Sequence, residues 1–143
     1  MTIARVIASR PTAAVVTATA DMTVQQAIGI LAAHRIGAVP VMDGDQVVGI
    51  FSERDVLYCL AQEGAAALDR TVGDVMTAPA ITVAPDTSVL AALSLITRRR
   101  IRHLPVTEGG RMIAMVSIGD LVKHRIDAIE KEAEAMRNYI QAV

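Results

Sequence analysis

Apolar residues along the chain follow two rhythms, one of helical period and one of alternation, and the rhythms succeed each other in a fixed order. Asp21-Met22-Thr23 opens a helix in which Val24, Ala27, Ile28 and Leu31 recur at helical spacing. Gly37 follows its last turn and is expected to take the left-handed conformation that ends many helices. Ala38 to Met42 predicts a short strand, Asp43-Gly44 a hairpin turn, and Val47 to Phe51 the returning strand. Ser52 starts a second helix that reaches Gln62. The same order returns downstream as helix Ser88 to Arg100, strand His103 to Thr107, turn Glu108-Gly109-Gly110, strand Met112 to Val116, and a helix from Ser117. Short extended pieces, Val15 to Thr17 and Ile81 to Val83, precede the two sets, and Thr71 to Met76 reads as one linking turn of helix.

This recurrence is a repeat in the residues themselves. At a shift of 65 positions Thr17 meets Thr82, Asp21 meets Asp86, Arg35-Ile36 meets Arg100-Ile101, Pro40-Val41 meets Pro105-Val106, Ser52 meets Ser117 and Asp55 meets Asp120, with no gap between Thr17 and Asp120. Two copies of one β-α-β-β-α unit are too few for a solenoid and enough for a closed, pseudo-two-fold pair. The expected class is α/β (α+β). The expected organisation is an N-terminal segment 1–14, a first repeat 15–63, a linker with a short helix 64–79, a second repeat 80–125 and a C-terminal helix extension 126–143, all one integrated module.

Beyond the second repeat a single helix is expected from Ile118 to Gln141. Val122, Ile126, Ile129, Ala133, Met136 and Ile140 are spaced 4-3-4-3-4, a heptad seam, with charged residues mostly off it. Such a helix is about 35 Å long, more than one small repeat can cover. A homodimer contact, or a higher assembly built from it, is the expectation; packing along its own protomer is the alternative.

Composition narrows the chemistry. The chain has 143 residues, 14 basic and 15 acidic, and this balance argues against a general nucleic-acid binder. Two Tyr, one Phe and no Trp leave little on which bases could stack. The single Cys59 precludes an internal disulfide and fits a reducing compartment. His34, His103 and His124 share no ligand spacing, so no metal is expected. Apolar runs fall well short of the roughly 20 residues of a membrane span, so no membrane partner is expected and a cytoplasmic location is. No nucleophile-base set and no phosphate-cradling glycine loop stands out, so no catalytic residue and no enzyme activity are expected.

Two motifs, Gly49-Ile50-Phe51-Ser52-Glu53-Arg54-Asp55 and Met115-Val116-Ser117-Ile118-Gly119-Asp120, stand in register, each with its loop upstream, Arg35 to Val41 and Arg100 to Val106. Over residues 10 to 125 the chain resembles a tandem pair of cystathionine-β-synthase-type repeats, a CBS pair or Bateman module, of the stand-alone bacterial kind. The resemblance implies two clefts that bind adenosyl ligands: AMP, ADP, ATP, NAD(H) or adenosylmethionine. In each, the Asp of Ser-x-x-Asp would hold the ribose hydroxyls, with the Ser and nearby basic residues toward the phosphate. One cleft would use Asp120, Ser117, Met115, Arg102 and His103, with Val16, Ile36 and Gly37 opposite. The other would use Asp55, Ser52, Arg54 and Ile50, with Ile81, Ile101 and Arg102 opposite. Copy one has Gly37-Ala38 where copy two has Arg102-His103, so the clefts are expected to differ in affinity. Ala114 replaces the glycine usual in the second motif and is expected to narrow that cleft.

The residues support the same chemistry independently. A helix start favours a phosphate, a carboxylate can accept both ribose hydroxyls, and Arg102 and His103 would add charge-assisted donors. Ser-x-x-Asp is also close to the spacing of a capping box, and Thr23-x-x-Gln26 and Thr71-x-x-Asp74 are expected to serve only as caps. The expected function is regulatory: AMP or a related adenine nucleotide is sensed between the repeats and read by an effector protein the sequence does not name. An NAD(H)-binding redox sensor of the same fold and a ligand-free interaction scaffold stay open beside it.

Overall fold

The computed structural model describes residues 1–10 and 15–142. Helix α1 (Ile3–Ala8) is followed by strand β1 (Ala18–Thr19), helix α2 (Val24–His34), strands β2 (Ala38–Asp43) and β3 (Gln46–Ser52), and helix α3 (Glu53–Glu63). A 3-10 helix (Gly64–Asp69) and a single turn, α4 (Val72–Val75), link to the second set. That set is α5 (Val89–Arg99), β4 (His103–Glu108), β5 (Arg111–Ser117) and α6 (Ile118–Gln141).

In the first repeat β1 runs parallel to β2, and β2 pairs antiparallel with β3. The hairpins turn at Gly44 and at Gly109-Gly110, all with positive φ, where a side chain would be strained. The sequence predicts β1 at Val15 to Thr17; it lies instead at Ala18–Thr19, where Ala18 is buried against Val41. The second extended piece, Ile81 to Val83, narrows to one parallel bridge from Val83 to Val106.

Each repeat has its own apolar core. The first gathers Val24, Leu31, Val39, Val41 and Phe51; the second gathers Val89, Ile96, Leu104, Val106, Val116 and Leu121. Ile3 and Val6 belong to the second core, so the N-terminal helix completes the distant repeat rather than its neighbour. Helix α4 does the same for the first repeat, through Val72. The two insertions share their hydrogen bonds. Val72 N–H donates to Met22 O at 2.8 Å and Val24 N–H to Arg70 O at 2.8 Å. In the second repeat Ile3 N–H donates to Thr87 O at 2.9 Å and Val89 N–H to Met1 O at 3.2 Å. Thr2-Ile3-Ala4-Arg5-Val6 thus retraces Thr71-Val72-Gly73-Asp74-Val75, a second internal repeat at a different shift. Residues 11–14 of the N-terminal segment and Val143 lie outside the described residues.

Two corrections concern helix ends. The left-handed residue after α2 is Arg35 (φ 51°), not Gly37, and its counterpart after α5 is Arg100 (φ 55°). A non-glycine residue there costs about 1–2 kcal/mol. The following N–H groups, Ile36 to Leu31 O and Ile101 to Ile96 O, then satisfy helix carbonyls. Gly37 instead lies close to the Glu53 side chain: a Cβ on it would stand 3.3 Å from Glu53 Oε1, a tight contact that the exposed carboxylate can yield. Thr71 makes no side-chain cap, whereas Thr23, Ser52 and Ser117 all form reciprocal capping boxes.

Candidate ligand clefts between the repeats

The capping box that begins α3 faces the loop after α5, the one that begins α6 faces the loop after α2, and a cavity lies at each crossing. The first, of about 360 Å³, is lined by Ile50, Ser52, Arg54 and Asp55 on one side and by Ile81, Arg99, Arg100, Ile101, Arg102 and His103 on the other. The second, of about 420 Å³, is lined by Met115, Ser117 and Asp120, with Val16, Ile36, Gly37 and His103 around it. All the residues assigned to the first cleft from sequence meet there. In the second cleft all do except Arg102, which lines only the first. It precedes β4 at an exposed bend, while His103 is turned between both cavities.

The aspartates differ in what they have left to offer. Asp55 is buried; its Oδ2 accepts from Ser52 N–H at 2.9 Å and from Ser52 Oγ at 3.1 Å. Its Oδ1 accepts from Thr77 Oγ1 at 2.9 Å. Asp120 is about one-third exposed, and its Oδ2 accepts from Ser117 N–H at 2.9 Å and from Arg10 Nη1 at 3.1 Å. Among the described residues no hydrogen bond reaches Asp120 Oδ1. The second carboxylate therefore keeps an open acceptor, and the first has both oxygens engaged.

The helix starts offer less to an anion than their positions suggest. Glu53 N–H donates to Gly37 O at 3.0 Å and Asp55 N–H to Ser52 Oγ at 3.4 Å. In the second repeat Ile118 N–H donates to Arg102 O at 2.8 Å and Asp120 N–H to Ser117 Oγ at 3.1 Å. Most of the N–H groups that would receive a phosphate are thus already paired. His103 is also weaker than expected as a charged donor. Burial, and then the Arg102 guanidinium, hold its pKa below the usual 6.5, against an opposing pull from Asp120 and Glu53.

Gly49 and Ala114 part company as well. A Cβ on Gly49 would stand 2.6 Å from Met76 Sδ and 2.9 Å from Thr77 O. The linker approaches that closely because Ile50 and Thr77 exchange backbone hydrogen bonds of 2.9 Å. Ala114 is buried in the second core and lines neither cavity, so it does not narrow the second cleft as expected.

Several lining residues escaped the sequence reading. Tyr58 lies one turn beyond Asp55 on α3, a spacing that could have disclosed it. Thr77 and Pro79 come from the linker, and Val15, Arg35 and Pro40 line the second cavity. Arg10 reaches Met115 O at 2.9 Å as well as Asp120. The match between residues 2–6 and 71–75 would have placed Arg10 opposite Pro79, at the mouth of a cleft.

A family model described as "CBS domain" matches residues 5–62 and 72–127. The chain belongs to the CBS-domain family. The match begins within α1 and takes in the whole of α4. The chain is 41% identical over 128 residues to the mitochondrial CBS domain-containing protein CBSX3 of Arabidopsis thaliana, covering 86% of this chain and 62% of that protein. It thus spans less than two thirds of that relative's length. Among solved structures, the CBS-domain containing protein ATU1752 of Agrobacterium tumefaciens superposes with a TM-score of 0.82 at 36% identity, over 87% of this chain and 99% of that one. The CBS domain protein PAE2072 of Pyrobaculum aerophilum, solved with AMP, shares the fold at 24% identity and a TM-score of 0.73, over 84% of this chain and 89% of that one. No helix among the described residues is long and apolar enough to cross a membrane, and no group of three His, Cys, Asp or Glu among them could hold a metal ion.

Proposed function

We propose that this CBS pair is a cytoplasmic regulatory module that binds AMP or a related adenine nucleotide between its repeats and catalyses nothing. The observation that carries the reading is the open Oδ1 of Asp120 at the edge of a 420 Å³ cavity with apolar Val16, Ile36 and Met115 in its walls. A ribose needs such an acceptor, and an adenine needs such walls. The fold of the AMP-bound Pyrobaculum protein supports the same reading. Ligand contacts from both repeats would set their mutual angle, and an effector protein would respond to it through differential affinity for the two states.

A second copy of the chain completes the unit. Only the first turns of α6 pack on the body; from Ile129 onward every described residue is exposed. Ile126 and Ile129 on the heptad seam are 49% and 48% exposed. A parallel pairing of two copies sets Arg125 against Glu130 and Glu132 against Arg137 across the seam. A fully overlapped antiparallel pairing would instead oppose Glu130 to Glu130 and Lys123 to Arg137. The seam's charges therefore favour the parallel pair, and an Ile129→Lys, Met136→Lys variant is expected to elute as a monomer.

Thermal unfolding with AMP and with GTP tests the nucleotide reading. At 100-fold above Kd a ligand adds about 2.7 kcal/mol, which raises Tm by roughly 5–10 °C for a chain of this size. A shift with AMP that is absent with GTP, and lost in Asp120→Ala, is the expected result. No shift with any adenosyl compound would sink the reading and leave a ligand-free scaffold.

A further inference from the structure

The first cleft carries a charge imbalance that binding of AMP in the second does not explain. Four arginines line it, Arg54, Arg99, Arg100 and Arg102, against one acid, Asp55, a formal excess of three. None of the four forms a salt bridge among the described residues. The single acid is spoken for by Ser52 and Thr77, so it neutralises none of them at close range. Among the described residues the second cavity has Arg35 on its wall and Arg10 paired to its one acid, Asp120, a formal excess of one.

Two of these arginines could be dismissed as cations offsetting the dipole at the end of α5. The geometry separates them from that role. Arg98 and Arg99 both stand in the last turn, but only Arg99 lines the cavity. Arg100 turns the chain into the cleft through its left-handed backbone, and its carbonyl accepts from Arg54 Nη1 at 3.0 Å. That bond crosses from one repeat to the other and brings the Arg54 guanidinium to the Arg100 main chain. The helix-start N–H groups beside it are largely paired, so any anion here must be met by side chains. Guanidinium groups from two segments, α3 and the end of α5 with its following loop, suit several phosphate oxygens at once, since each can present two parallel N–H donors.

We infer that the first cleft takes an adenine nucleotide bearing two or more phosphates, while the second takes the monophosphate. This rests on the adenosyl reading above and adds to it a division of labour. The apolar walls Ile50, Ile81 and Ile101 receive the base. A ribose hydroxyl replaces the exposed Thr77 hydroxyl on Asp55 Oδ1, one hydroxyl for another. The phosphates lie toward Arg99 and Arg102. ADP and ATP present them as a chain end; a dinucleotide presents them as a bridge.

The test titrates full-length Asp120→Asn protein, in which the second cleft is silenced, with adenosine, AMP, ADP, ATP, NADH and inorganic tripolyphosphate by calorimetry. ADP or ATP, or NADH if the bridged form is the ligand, is expected to bind at least tenfold more tightly than AMP. An Arg99→Ala, Arg102→Ala pair is expected to bring that preference to within about threefold of unity, the exposed positions leaving the fold intact; Arg98→Ala keeps it. Competition in the wild-type chain, with AMP saturating and ATP titrated in, gives the same answer without the Asp120 substitution. Equal affinities for AMP and every polyphosphate ligand, or a preference that survives the double substitution, would overturn this inference alone. Binding of tripolyphosphate with no gain from the adenosine moiety would overturn this inference, and absence of AMP binding in the wild-type chain would overturn the adenosyl reading with it.

Discussion

The two clefts are built from the same motif, yet their aspartates live in different circumstances. Asp55 is buried and closed: Ser52 and the linker's Thr77 take both its oxygens. Asp120 is partly exposed and half open, with one oxygen held by Ser117 and Arg10. The cause lies in the segment that passes each site. The linker carries a hydroxyl at Thr77, while the N-terminal segment carries a guanidinium at Arg10. A shared Ser-x-x-Asp motif therefore fixes a helix cap in both repeats, while the segment that crosses it decides which carboxylate oxygen is left without a partner.

The largest difference should appear in the ligand-free protein. Asp55→Ala strips a buried cap, leaves the Ser52 N–H without its partner and loses the bond to the Thr77 hydroxyl, and is expected to cost about 1–3 kcal/mol. Asp120→Ala removes a cap in a wetter site and is expected to cost about 0.5–1 kcal/mol. Denaturant midpoints of the two variants test the ordering. Equal losses would mean that the hydrogen bonds to Thr77 carry no net stability.

Next comes the exchange of the glycine and alanine. Gly49→Ala drives a methyl into the Thr77 carbonyl and Met76, and is expected to destabilise by about 1–3 kcal/mol, loosening the linker over the first cleft. Ala114→Gly removes a buried methyl and should cost about 1 kcal/mol without touching ligand affinity, because it lines neither cavity. Nucleotide binding unchanged in Gly49→Ala would show that the linker's position does not matter to the first cleft.

These contrasts also mark how far the sequence could be read. The repeat shift of 65 shows both units and both hairpins, and the heptad spacing from Val122 shows the length of α6, because periodicity and turn residues are local. Ser52 with Asp55 and Ser117 with Asp120 were legible for the same reason. What crosses the molecule was not. Arg10 lies 110 positions from the Asp120 it binds, and only the short match of residues 2–6 to 71–75 points toward the contact. Arg102 reads from sequence as shared by both clefts, but it lines only the first, because the residue before a strand is not bound by the strand's alternation. Glycine is the usual left-handed residue, so Gly37 reads as the helix end; Arg35 takes that conformation two positions earlier.

Arg10 gives a smaller and more selective prediction. Its pairing with Asp120 is about one-third exposed on both sides, so Arg10→Ala should cost no more than about 1 kcal/mol. In the second cleft it should also change AMP affinity, since Asp120 Oδ2 is freed; in the first cleft it should change nothing. Calorimetry with AMP and ATP in the same variant separates the two. A change in ATP affinity equal to that for AMP would mean the clefts are coupled through the body of the pair.

The finest distinction is one of protons, and it rests on the one imidazole that both cavities share. His103 has a pKa held below 6.5 by burial and Arg102, with Asp120 and Glu53 pulling the other way. In the window between that depressed value and 6.5, the unfolded chain binds the proton and the folded chain does not. Stability must therefore rise with pH across this window and be lost as pH falls through it, with no contribution above it. His103→Gln should flatten that part of the profile. A bound phosphate reverses the sign, because an anion beside the ring favours the imidazolium and so draws a proton in on binding. Nucleotide affinity should then strengthen on acidification in the wild type and lose that trend in His103→Gln, even as the ligand-free protein weakens. Measuring AMP and ATP separately across the window shows which cavity the ring serves, because only the ligand whose phosphate lies beside His103 will carry the proton with it.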